Sequence, residues 1–256
     1  MRILFILALL LGLMPDLLRA DYASQQMRDR LEYRYKARSP KEWGMHLSGV
    51  IDHLPSTDNV IALTFDACGV GDDGFDKELI DFLTAERVPA TIFLTARWIE
   101  RHPMEARQLA ANALFEIESH GSLHKPLSVS GRDAYHIKGT GSVAEAAQEV
   151  QDGAAAILEL TGKEPHYFRS GTAHYDEVAV LIVQDLGYDP AGFAVNGDAG
   201  ASYTQAQVVS SLEATKPGDI VIMHLNRPKG FTFDGLRQVL PEWRAQGYRL
   251  VRLREG

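Results

Sequence analysis

Seven short apolar runs, rich in β-branched residues, punctuate the chain: NVIALTF (59–65), ATIFLT (90–95), ALFEIES (113–119), PHYFRS (165–170), PAGFAV (190–195), DIVIMH (219–224) and YRLVRL (248–253). Between them, apolar residues recur at helical spacing over 76–86, 103–113, 142–162, 176–187, 204–215 and 234–247. Boundary signals support these spans, with Ser142 at one head and Gly162 and Gly187 past two ends. Strands alternating with helices predict βα units and a parallel sheet, because parallel strands need a crossover between them.

Polar residues at the ends of the runs choose between architectures. Asp66 follows the first run, His120 the third, Arg169 sits at the end of the fourth, Asn196 and Asp198 follow the fifth, and His224 ends the sixth. An open sheet concentrates its ligand site at one switch point, whereas a β/α barrel gathers many strand tips at one mouth, so this spread predicts a barrel.

The chain has 256 residues and 45% apolar content, enough for one large core. Its net charge of −8 argues against polyanionic partners, nucleic acid included. Residues 1–20 pair an early Arg2 with an apolar run from Ile3 to Met14, then Pro15 and a small Ala20. That layout predicts a signal peptide and a secreted or periplasmic protein with no membrane insertion after cleavage; an uncleaved anchor is the alternative. Polar residues 21–45 are expected as an exposed helical extension ended by Pro40, and 46–256 as the catalytic domain. Cys68 is the only cysteine, so no intrachain disulfide forms, and its thiol is either inert in the core or close to chemistry.

The stretch SHGSLHKPL sets His120 and His124 four residues apart at the exit of a strand. Two neutral imidazoles suit zinc or a similar cation, and a catalytic site adds a further protein ligand and keeps a position for water. Asp66 as a carboxylate base, Arg169 orienting it, and His224 as proton donor backed by Asp198 would complete a set for hydrolysing an amide or ester. Singly, each has a plainer reading: Asp66 as a cap, Arg169 as a surface residue, Asp198 as turn chemistry.

Taken in order, LTFDAC, SHGSLH, FRSGTAHYD, VNGDAG and DIVIMH, with the closing LPEWRAQGYRLVRL, resemble the motifs of the polysaccharide deacetylase family, carbohydrate esterase family 4, over about residues 47 to 254. The resemblance implies a distorted (β/α)7 barrel that removes N-acetyl groups from an amino-sugar polymer with a divalent metal, Zn2+ above all. By analogy Asp66 is the base, His120 and His124 bind the metal, Arg169 positions the base, and His224, tuned by Asp198, is the acid. Ile222 and Met223 are the residues expected around the acetyl methyl, and the backbone N–H groups of Ser170 and Gly171 around the oxyanion.

Three positions depart from the family pattern. Where a second, metal-binding aspartate normally stands there is Ala67, which leaves the third ligand to Asp66, Asp72 or Asp73, a water, or last in order Cys68. Ser170-Gly171 replaces the usual proline, and Ala199 an aromatic residue, implying a differently shaped cleft. Two alternative functions follow: a carbohydrate-binding protein without turnover, or a deacylase of O-acetyl or non-polymeric substrates.

Overall fold

The computed structural model describes residues 16–55, 58–71 and 73–256, with the backbone alone for 16–22. The apolar core of the expected signal peptide and Asp72 lie outside the described residues. Helix α1 (Asp16–Tyr35) begins upstream of the expected cleavage point after Ala20 and stops before Pro40. Strand β1 is Trp43–Gly44.

Eight parallel strands form the main sheet: β2 (Val60–Ala67), β3 (Ala90–Leu94), β4 (Phe115–Ser119), and, after a hairpin of β5 (Asp133–Ala134) and β6 (Ile137–Lys138), β7 (Tyr167–Phe168), β9 (Asp189–Pro190), β10 (Val195–Asn196), β11 (Ile220–His224) and β12 (Arg249–Val251). Their order is β10-β11-β2-β3-β4-β7-β9, and β12 pairs with the first three residues of β2. The small β8 (Tyr175–Asp176) pairs antiparallel with β1. Segment 50–54 bridges the seam between the outer strands: Ile51 pairs beside Ala191 and His53 beside Asp219, with Ile51 N–H donating to Pro190 O (2.8 Å) and Leu54 N–H to Gly218 O (2.8 Å). The result is a distorted (β/α)7 barrel.

Period-two alternation sorts the side chains of β2. Ile61, Leu63, Phe65 and Ala67 face outward into a cluster with helix residues such as Leu79, Trp98 and Leu236, while Val60 and Ala62 join Phe93, Ile220 and Ile222 inside. Thr64 and Asp66 continue the inward face and make its upper end polar.

Helices cover the outside: α2 (Lys77–Ala85), α3 (Ala96–Arg101), α4 (Pro103–Ala111), α5 (Val143–Thr161), α6 (Glu177–Asp185), α7 (Gln205–Glu213) and α8 (Thr232–Ala245). Side chains of Asp76, Thr95, Ser142 and Asp176 each accept a hydrogen bond from a first-turn amide, and Thr204 forms a capping box with Gln207. Gly162 ends α5 at φ +71°, as its placement in the sequence predicts.

Two expectations need correcting. PAGFAV is two short strands, β9 and β10, because residues 191–194 bend away to meet the seam and Arg169. Helix α1 is not simply exposed: Leu31 and Tyr35 are buried against Val143, Val150, Ala179 and Val183, and the Tyr35 hydroxyl donates to Asp185 at 2.7 Å. Helix α3 and the β5–β6 hairpin carry no sequence signal. The hairpin turn places Tyr135 and His136 at φ +51° and +62°, where Asn-Gly would ordinarily announce it.

Because α1 seals part of the core, Leu31→Ala should lower the free energy of unfolding by about 2–4 kcal/mol in urea titration. An unchanged midpoint would show that α1 does not belong to the folding unit.

Candidate active site

Arg169 leaves β7 and turns its guanidinium into the barrel, where it is fully buried. One terminal nitrogen donates to Asp66 Oδ1 (2.7 Å) and Thr64 Oγ1 (2.9 Å), the other to the Gly192 carbonyl (2.7 Å), and the cation lies 4.2 Å from the centre of the Phe93 ring. Burial alone would raise the Asp66 carboxyl. The charges of Arg169, His120 and His224 outweigh it and hold the group below the ordinary carboxylate value, ionised at neutral pH.

His120 follows β4. Its Nδ1 lies 2.9 Å from the Arg169 carbonyl, an acceptor only, so Nδ1 carries a proton and Nε2 is the nitrogen left to titrate or to bind a cation. That Nε2 is 3.4 Å from Asp66 Oδ2 and 3.9 Å from Cys68 Sγ. Buried Glu149 shapes the following loop by accepting the N–H groups of Leu123 (2.8 Å) and Lys125 (3.2 Å), one on each side of His124. His124 itself sits in the left-handed region at φ +59°. Its ring centre is 4.8 Å from that of His120, at 85°. The ligand atoms of Cys68, His120 and His124 all lie within 4.8 Å of one another.

His224 ends β11 in register with Asp66, one strand away. Its Nδ1 donates to Asp198 Oδ1 at 2.8 Å and its backbone N–H to Oδ2 at 2.7 Å, where the Thr232 hydroxyl also donates. Burial works against protonation of His224, yet the Asp198 charge and hydrogen bond raise the imidazole well above its ordinary value. Asp66, Cys68, His124 and His224 open into one cavity of about 520 Å³, with Phe193 and Ile222 on its apolar wall.

The structure therefore brings together Asp66, His120, His124, Arg169, Asp198 and His224. Met223 does not line the cavity; strand alternation turns it outward into the core, and Ile222 takes the inward position. The amides of Ser170 and Gly171 are not free oxyanion donors either, since they already donate to the Tyr175 hydroxyl (2.9 Å) and the Lys125 carbonyl (3.1 Å). Gly171 is needed for another reason: a Cβ there would stand 2.2 Å from the His124 carbonyl. Among the expected third ligands, Asp66 has Oδ1 engaged by Arg169 and Oδ2 beside His120, while Asp73 accepts from Asn226 through Oδ1 and has Oδ2 3.7 Å from His102.

Sequence reasoning placed Cys68 last, although alternation from Asp66 puts residue 68 on the same face and Ala67 on the other. Burial would raise its thiol, but His124, His120 and His224 around it bring it well below its ordinary value. Thr172 and Tyr135 also line the cavity without advance notice. Thr172 owes its place to a left-handed φ of +64°, and its buried hydroxyl oxygen has no partner.

A barrel mouth holding an Arg-fixed carboxylate, two facing imidazoles and an Asp-backed histidine defines a hydrolase-type site. Residues 53–191, just over half of the sequence, match the polysaccharide deacetylase family, and the chain belongs to that family. Peptidoglycan-N-acetylglucosamine deacetylase of Bacillus cereus is 25% identical over 212 residues, which span 79% of this chain and 90% of the relative. Among solved structures, a CE4 family pseudoenzyme from Bacillus anthracis superposes with a TM-score of 0.67 at 21% identity, covering 82% of this chain and 69% of that one. PdaA of Bacillus subtilis, a family 4 carbohydrate esterase, superposes with a TM-score of 0.63 at 19% identity, covering 89% of this chain and 87% of that one.

Gly171→Ala should destabilise the protein by about 1–3 kcal/mol through its clash with the His124 carbonyl. Gly44→Ala, whose added Cβ meets nothing within 4 Å, is the control. Equal melting temperatures for the two variants would contradict the packing described.

Proposed function

We propose that this protein is an exported, metal-dependent hydrolase that removes N-acetyl groups from an amino-sugar polymer such as peptidoglycan. One observation carries the reading: Asp66 and His224 are register partners on adjacent strands, each tuned by its own partner, facing one cavity. Neighbouring strands lie about 4.8 Å apart, so base and acid reach one bound amide from adjacent places on the cavity wall. Export rests on the leader-like residues 1–20. No helix among the described residues is long and apolar enough to cross a membrane.

The residues present fit a cation. The buried Nδ1 of His124 has no hydrogen-bond partner, and His120, with Nδ1 held by the Arg169 carbonyl, turns its buried Nε2 toward Asp66 and Cys68. His120 and His124 would hold it. A bound divalent ion supplies Lewis acidity, polarising a carbonyl and lowering the pKa of water to about 7.

In the proposed reaction the acetyl methyl rests on the apolar wall that Ile222 and Phe193 provide. Asp66 Oδ2 takes a proton from the attacking water as its oxygen bonds to the carbonyl carbon, while Arg169 keeps the carboxylate aimed. His224 then gives a proton to the amide nitrogen as the C–N bond breaks, leaving acetate and a free amine. Asp198 stabilises the imidazolium before transfer. The name of the Bacillus cereus relative supports the substrate class.

A second reading is favoured by Ala67: a carbohydrate-binding protein without turnover, in line with the description of the Bacillus anthracis neighbour as a pseudoenzyme. Acetate release from N-acetylglucosamine oligomers and peptidoglycan separates the two. Asp66→Asn should lower release by about 10²–10⁴-fold with metal content retained, whereas His120→Ala should lose the metal. Full activity in Asp66→Asn would reject the base.

The acid must be protonated to act, so activity falls as pH rises through the His224 pKa. Because Asp198 raises that pKa, the alkaline limb should lie above the ordinary imidazole range. Asp198→Asn should move this limb to lower pH as well as reduce kcat. A limb that stays in place would remove Asp198 from the role assigned to it.

A further inference from the structure

We infer that Cys68 replaces the carboxylate ligand absent at position 67 and completes, with His120 and His124, a sulfur-containing site selective for zinc-like cations over magnesium or calcium. Four observations converge. Strand alternation places Ala67 in the outer core, in register with Leu94, and sends Cys68 to the cavity side with Asp66. Across a tetrahedral zinc with ordinary bond lengths, nitrogen and sulfur stand about 3.6 Å apart. Here Nε2 of His120 and Sγ of Cys68 stand 3.9 Å apart.

The tautomer of His120 is set from behind by the Arg169 carbonyl, which leaves the coordinating nitrogen turned toward the sulfur. His124, 5% exposed, adds a buried ring nitrogen with no partner, held in a strained backbone conformation that only the surrounding loop enforces. A thiolate is a soft donor, and with two imidazoles it suits zinc or cobalt, whereas magnesium and calcium require oxygen ligands.

The inference rests on the proposed metal-dependent site, yet it is tested without catalysis. Apo protein is titrated with cobalt(II) and its absorption recorded. A sulfur-to-cobalt charge-transfer band in the near ultraviolet is expected, absent from Cys68→Ser and Cys68→Ala, with cobalt affinity in both lowered more than the roughly 10–100-fold that loss of a residue behind a ligand costs. Circular dichroism and melting of the apo variants confirm that they fold. Magnesium and calcium should fail to displace the cobalt at millimolar concentration.

A cobalt-loaded wild type with no such band, a band that survives in Cys68→Ser, or no cobalt binding at all overturns the assignment. Acetate release without the band would leave the hydrolase reading standing and sink the cysteine ligand. The band without acetate release from any acylated sugar would do the reverse.

Discussion

A guanidinium placed inside a barrel with no solvent contact costs several kcal/mol unless its charge is compensated by close partners. Arg169 meets that demand with a carboxylate, a hydroxyl, a carbonyl and an aromatic face drawn from β2, β3 and the loop after β9. Its own backbone carbonyl fixes the ring of His120, and its amide bonds to Ser119. One residue thereby joins the base, the nearer imidazole and three walls of the barrel. Loss of the cation would strand the Asp66 carboxylate in a dry interior, so the arrangement has little room for partial versions.

Opposite this pair stands a second, electrically different one. Asp66 faces a permanent cation and stays ionised; Asp198 faces an imidazole and keeps it charged. Two aspartates, one on the cavity wall and one behind His224, thus perform unlike tasks because their partners differ. The register of β2 against β11 sets how close the two tasks lie, and a slip of one residue would turn one of them to the wrong face.

Most of the architecture was legible in the chain, since long strands such as β2 and β11 and helices such as α5 have clean periodicity and ordinary caps. Asp66, His120, Arg169, Asp198 and His224 could be named from their places at strand ends, and His124 from its spacing to His120. What escaped detection depends on backbone conformation rather than residue type. Tyr135, His136 and Thr172 all take positive φ without being glycine, and no local pattern announces that. The assignments of Met223 and of the Ser170 and Gly171 amides failed because a motif says which residues are near, while alternation and hydrogen bonding decide which way they point. Cys68 was undervalued for the same reason in reverse.

The barrel is sealed by an irregular segment, 50–54, and not by another regular strand. The family match begins at residue 53, inside that seal. A polypeptide begun at residue 53 would keep every catalytic side chain but expose the main-chain edge at Pro190 and Ala191, a template for intermolecular β-pairing. Kinship and foldability therefore have different boundaries in this protein: the shortest version able to resist self-association must start before Val50.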